Sequence, residues 1–234
     1  LVAPLLLKKL GCTVTSLNCT PDGKFPGRHS EPLPENLTML MKTVPEVDAA
    51  FGIALDGDAD RAIFVDEQGK YIWGDKSLSL VGNYITKEKK GGLAVTPVTT
   101  SSCFEDVVRQ NNGSVVYTKV GSPIVARVMK EKQAVFGGEE NGGLIFPDFQ
   151  YCRDAAMSLA KVLEICTKEK KPVSELIATI PSYEVYKTKI ACPNEKKDQV
   201  MNLVAEQLKH HHDVKHIDRT DGVKLFLSDG WVLM

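Results

Sequence analysis

The sequence predicts an α/β protein: two successive α/β units with mixed, mostly parallel sheets, followed by part of a C-terminal α+β unit. Three observations carry this. Apolar runs of strand length alternate with segments of helical period up to about residue 180, as in a sheet covered by helices on both faces. After Pro181 the pattern changes to strand, helix and paired strands. The length, 234 residues, admits about one to three domains at roughly 150 residues each. Boundaries near Gly74-Asp75 and Ile180-Pro181 give units 1–74, 75–180 and 181–234.

In order, residues 1–10 read as a helix closed by Gly11, the usual residue after a helix end. Thr13 to Asn18 read as a strand. Residues 19–34 hold four prolines and read as a loop. A helix over 35–44 and a strand from Ala49 to Leu55 follow. Arg61 to Val65 and Tyr71 to Trp73 read as a hairpin around Gly69. Then come helix 75–89, strand Leu93 to Thr96, helix 102–110, strand Ser114 to Thr118, helix 123–132 and strand Ala134 to Phe136. A long helix over 153–168 precedes a short one over 173–179. In the last unit, Tyr183 to Ile190 reads as a strand and 195–210 as a helix. Residues 214–234 read as strands with a turn at Asp229-Gly230. The chain opens on a helix with no strand before it and stops inside a strand, so it is expected to be a piece of a longer protein.

Composition narrows the class. The 29 basic and 30 acidic side chains leave a net charge of −1, which argues against a polycationic nucleic-acid binder. No apolar run reaches the ~18 residues of a membrane span. The six cysteines show no C-x-x-C spacing and read as reduced thiols, which points to a cytoplasmic home.

The most informative stretch is Asp56-Gly57-Asp58-Ala59-Asp60-Arg61, between two apolar strands. Carboxylates at alternate positions of a tight loop can converge on one hard divalent cation such as Mg²⁺, with Gly57 permitting the turn. Without a cation they would repel one another. Arg61 adds a planar cation suited to phosphate oxygens. A calcium EF-hand would need glycine where Arg61 stands, and helices where strands are read. A solvated acidic turn is the plainer alternative.

Three further loops follow strands and face the same sheet edge, where ligands of α/β proteins bind. Gly137-Gly138-Glu139-Glu140-Asn141-Gly142-Gly143 lets the backbone approach a ligand, and Glu139 and Asn141 could bond vicinal hydroxyls; a flexible hairpin tip is the alternative. Lys119-Val120-Gly121-Ser122-Pro123 opens a helix, with Ser122 as cap and Pro123 in the first turn, and its free amides with Lys119 would favour an anion. Its alternative is an ordinary capped helix. Thr99-Thr100-Ser101-Ser102 reads as a helix cap. His210, His211 and His212 read as a solvated helix end.

Taken together, D-G-D-A-D-R, K-V-G at a helix start and G-G-E-E-N-G-G, in this order, resemble the α-D-phosphohexomutase superfamily, most nearly its archaeal phosphomannomutase/phosphoglucomutase members. The run G-G-L-I-F-P-D-F-Q-Y-C-R-D-A-A-M supports that branch. The resemblance implies most of domain 2 in 1–74, domain 3 in 75–180 and the start of domain 4 in 181–234. It implies Mg²⁺ on Asp56, Asp58 and Asp60, catalytic roles for Arg61 and Lys119, and sugar contacts from Glu139 and Asn141. The implied activity interconverts hexose 1-phosphate and hexose 6-phosphate, of mannose or glucose, through a phosphoserine enzyme and a bisphosphorylated sugar. Neither nucleic acid nor membrane is an implied partner.

Some family features are missing. The phosphoserine loop and the domain 4 phosphate clamp are absent, so this stretch alone is expected to be inactive. Gly143 stands where some members carry histidine, and no general acid/base is assigned. Ser122-Pro123 replaces the family's charged residue after Gly121. The competing function is a non-catalytic module that binds a metal or a sugar phosphate.

Overall fold

The structure, a computed structural model, describes residues 2–234. Its strands form three sheets of orders β1-β2-β3, β5-β4-β6-β7 and β10-β9-β8.

Helix α1 (Val2–Lys9) and α2 (Thr38–Glu46) precede β1 (Phe51–Leu55), β2 (Ala62–Asp66) and β3 (Tyr71–Ile72). This first sheet is antiparallel throughout, so the expected parallel pairs lie in the second sheet. All five residues of β2 are buried. Ala62 and Phe64 join the main core, while Ile63 packs with Leu37 and Ala54. A strand apolar on both faces is what two-sided burial requires. The β2–β3 turn closes as expected, with Gly69 at φ +80° and the Asp66 carboxylate accepting the Gln68 and Lys70 amides at 3.0 and 2.9 Å.

Helix α3 (Gly74–Lys89) is the central element. Its buried face carries small residues, Ser77, Ser79, Gly82 and Thr86, beside Leu78 and Val81. A Cβ on Gly82 would lie 2.6 Å from the Phe104 ring, so the glycine admits α4 (Ser102–Gln110) at close range. Strands β4 (Gly92–Pro97), β5 (Gly113–Thr118) and β6 (Phe136–Glu139) are parallel; β7 (Gly143–Ile145) returns antiparallel. Helix α5 (Ser122–Lys132) connects β5 to β6. Helices α6 (Ala155–Glu169), capped by Asp154, and α7 (Val173–Ala178) complete this layer. Ser101 caps α4 as expected.

The last unit holds α8 (Lys197–Leu208), β8 (His216–Asp218), β9 (Lys224–Phe226) and β10 (Trp231–Leu233). Lys224 is buried, with Nζ 2.6 Å from the Val98 carbonyl and 4.0 Å from the centre of the Trp231 ring. Asp221 accepts the Val120 amide at 2.8 Å. The unit therefore touches the loops that follow β4 and β5.

Several expectations need correction. Residues 13–18 and 183–190 are irregular, not strands. A strand is stabilised by a partner ladder, and among the described residues neither segment has one; Tyr186 and Ile190 are 89% and 87% exposed. The strand read at 134–136 is displaced to Phe136–Glu139, because its pairing with β4 and β7 runs into the glycine pair. Gly121, not Ser122, is the cap of α5; its φ of +129° suits a residue without a side chain.

Asp75 opens α3 and accepts the Ser101 amide at 2.8 Å. Burial pushes its pKa up from 3.8 to about 6. The folded state thus holds a proton that the unfolded state releases, and stability falls as pH rises through that window. Replacing Asp75 with Asn keeps the acceptor and removes the charge. Denaturation should show a gain of up to about 3 kcal/mol above pH 6, shrinking to nothing near pH 4. A gain equal at both pH values would count against this account.

Candidate functional site

The hairpin of β1 and β2 sets the first part of the site. Its register pairs Leu55 with Ala62, leaving Asp56 to Arg61 as the connecting loop. Ala59, not Gly57, takes the left-handed conformation, at φ +60°. Such strain in a non-glycine residue marks a loop held by its surroundings. Gly57 serves close approach instead: a Cβ there would lie 3.1 Å from that of Ser30.

The carboxylates of Asp56, Asp58 and Asp60 each offer an oxygen within 4.8 Å of the others. Asp56 is buried and accepts twice from Arg61, at 3.1 Å from the backbone N–H and 2.6 Å from Nε. These bonds outweigh desolvation and hold its pKa below the usual carboxylate value. Asp60 shifts upward because burial dominates over its arginine contact. One of its oxygens, Oδ1, is buried with no hydrogen-bond partner among the described residues. An orphaned anionic oxygen beside two further carboxylates fits a hard divalent cation, which takes oxygen ligands.

Arg61 does not present its fork outward. Nη1 and Nη2 lie 2.7 and 2.8 Å from the two oxygens of Glu31. The two-pronged acceptor anticipated as a phosphate is here a carboxylate of the chain itself. Arg28 adds a second cation beside Asp56, and its guanidinium donates to the carbonyl groups of Leu55, His29 and Ser30.

The second part of the site is the β6–β7 loop. Its backbone is pinned to the first sheet by the Ala62 amide, which donates to the Gly142 carbonyl at 3.1 Å. Gly142 has φ +94°, and a Cβ there would lie 2.6 Å from the Ala62 oxygen. On the other side, a Cβ on Gly74 would lie 2.0 Å from the Glu140 oxygen. The glycine-rich composition of this loop thus reflects contact with neighbouring backbone as well as access for a ligand.

Glu139 is buried at the end of β6. Desolvation raises its pKa, with Arg153 opposing. One of its oxygens accepts the Gly121 amide at 3.2 Å, and the other faces Arg153 Nη1 at 3.3 Å. The Nη2 of Arg153 pairs with Asp60 at 2.7 Å. The chain of contacts Gly121–Glu139–Arg153–Asp60 therefore joins three of the loops singled out by the sequence. Asn141 is exposed, and its Oδ1 accepts the Gly143 amide at 3.1 Å. Lys119 is exposed two residues before Gly121. The hydroxyls of Thr96 and Thr100 are 2.6 Å apart and buried behind this edge.

Two stretches match known family models. Residues 1–69 match phosphoglucomutase/phosphomannomutase alpha/beta/alpha domain II, and residues 73–183 match alpha/beta/alpha domain III. The chain belongs to the phosphoglucomutase/phosphomannomutase family. A phosphoglucomutase/phosphomannomutase of Thermococcus kodakarensis is 48% identical over the whole chain, which covers 51% of that relative. A probable phosphoglucosamine mutase of Methanopyrus kandleri is also 48% identical, with the same coverage. The chain spans about half the length of the curated relatives it matches. A solved family protein from Burkholderia thailandensis superposes with a TM-score of 0.84 at 28% identity, over 99% of this chain and 50% of that one. The resemblance read from the sequence is borne out, and so is its α/β fold.

Sequence reasoning missed Arg153, Glu31 and Arg28. Glu31 precedes its partner Arg61 by 30 positions in a loop without a motif. Arg153 does carry a weak signal, since it directly precedes the Asp154 cap of α6, which anchors it at the sheet edge. The histidine cluster His211, His212 and Asp213 is wholly exposed, as expected of a solvated terminus.

Proposed function

We propose that this chain is the central part of a hexose phosphate mutase, built from units 1–74, 75–180 and 181–234. The observation that carries the reading is the three-carboxylate loop, with its unpartnered Asp60 oxygen, one arginine away from buried Glu139. The names of the relatives support a phosphorylated hexose as substrate, with glucose, mannose and glucosamine as candidate sugars.

Asp56, Asp58 and Asp60 would hold Mg²⁺, which when bound neutralises charge on a transferring phosphoryl group. Arg61 fixes Asp56 through two hydrogen bonds and holds the loop's shape against its own repulsion. It acts on the phosphoryl group through that loop, and directly only if Glu31 gives way. Glu139 and Asn141 accept hydrogen bonds from sugar hydroxyls; burial raises the pKa of the Glu139 carboxyl, and the Arg153 guanidinium opposes that rise. Lys119, exposed at the same edge, attracts the substrate's phosphate. The phosphoryl carrier is assigned to a serine outside this chain. The six free cysteines fit a reducing, cytoplasmic setting.

The test is a coupled assay on the native-length protein, following hexose 1-phosphate conversion to hexose 6-phosphate with Mg²⁺ and with chelator. Turnover that needs the cation is the expected result. Binding of the sugar phosphate without turnover would favour the non-catalytic module instead.

A further inference from the structure

The place of a side chain at position 143 is occupied by another residue. A Cβ built on Gly143 would lie 2.3 Å from Cδ and 3.0 Å from Cγ of Arg153. The arginine stem thus crosses the end of the β6–β7 loop where any larger residue would block it. Beyond that crossing its guanidinium spans two carboxylates from different sheets, Asp60 at 2.7 Å and Glu139 at 3.3 Å. Its side chain is 22% exposed.

We propose that Arg153 is a positioning residue that couples the loading of a cation at Asp60 to the recognition of an anionic sugar phosphate at Glu139. The proposal rests on the mutase reading above. Its physics is a competition for one guanidinium. Arg153 neutralises both carboxylates while the cation is absent. A divalent ion at the loop takes over the charge of Asp60, and the positive charge of the arginine is then no longer balanced there. That charge becomes available to Glu139 and to an anionic ligand beside it. The division of Asp60 fits this role, because Oδ2 meets Arg153 while Oδ1 is left without a partner. The anchoring is rigid. Ile145 forms a β-bridge with Arg153, and Asp154 caps α6 immediately after it. A lysine could not serve equally, since its single ammonium nitrogen cannot reproduce two separate planar nitrogens, Nη1 on Glu139 and Nη2 on Asp60.

Coupling of this kind is a ratio of affinities and is reciprocal. It separates from structural damage, which lowers both affinities and leaves their ratio alone. The experiment is calorimetric titration of Mg²⁺ into the native-length protein, with and without saturating glucose 6-phosphate, mannose 6-phosphate or glucosamine 6-phosphate. In the unaltered protein the sugar phosphate should tighten Mg²⁺ binding by about fivefold or more. Arg153→Gln should reduce that factor to below about twofold. Gly143→Ala should do the same by displacing the stem while leaving the positive charge in the molecule. It also stands as the second variant if Arg153→Gln fails to fold. Coupling that persists in either folded variant overturns the role of Arg153, as does its absence from the unaltered protein when both ligands bind. If none of the three sugar phosphates binds the unaltered protein, the mutase reading itself falls, and this role with it.

Discussion

Replacing Asp58 with Asn should lower Mg²⁺-dependent hexose phosphate turnover of the native-length protein by at least about 100-fold, with no loss of thermal stability. Asp58 is exposed at the tip of the carboxylate loop. Removing its charge relieves repulsion from Asp56 and Asp60, so the fold should change by no more than about 0.5 kcal/mol. The cation, by contrast, loses one of its three carboxylates. Its affinity and the charge stabilisation it supplies fall together. The variant needs two readouts, a thermal melt and a Mg²⁺ titration of activity. Unchanged turnover at low Mg²⁺ would remove the metal assignment. A large drop in melting temperature would show that Asp58 has a structural partner instead.

Glu139→Gln tests the other half of the site and should act on specificity. The amide keeps the shape and can still accept the Gly121 N–H, which lies 3.2 Å away in the unaltered protein. It loses the charge that strengthens hydrogen bonds from sugar hydroxyls, each worth about 1.5–3 kcal/mol. One such bond corresponds to roughly 10- to 150-fold in kcat/KM. The fold should survive, because the buried group loses a desolvation cost as well as an ion pair. A hexose phosphate located by crystallographic soaking away from residues 137–143 would refute the sugar contact, whatever the kinetics.

The parts of this molecule that were legible in the sequence are those determined locally. Asp56 to Arg61 read correctly as a connecting loop because two apolar strands bracket it and its charges are packed within six positions. The cap at Ser101 and the turn at Gly69 depend on their immediate neighbours and were read from them. By contrast, Tyr183 to Ile190 has the alternation of a strand, but strand formation needs a partner, and no periodicity announces whether one is present. The same limit applies to the site. Arg61 was visible as a cation, whereas its engagement by Glu31 depends on a loop fold that four prolines obscure. The link from Glu139 to Asp60 through Arg153 joins positions 79 and 93 residues away from Asp60, beyond any local pattern.

If the chain belongs to a hexose phosphate mutase as proposed, the Gly142 contact with Ala62 also constrains how its preference among sugars can change. The hairpin has backbone on both sides, Ala62 against Gly142 and Gly74 against Glu140, so these two positions have no room for added bulk. Loop lengthening, a common route by which binding sites diversify, is thereby disfavoured at these positions. Divergence is then left to side-chain exchange, at the sugar-facing Glu139 and at the half-exposed Glu140 and exposed Asn141. Relatives that prefer different hexoses should therefore keep the length of this loop and differ in the residues at its crest.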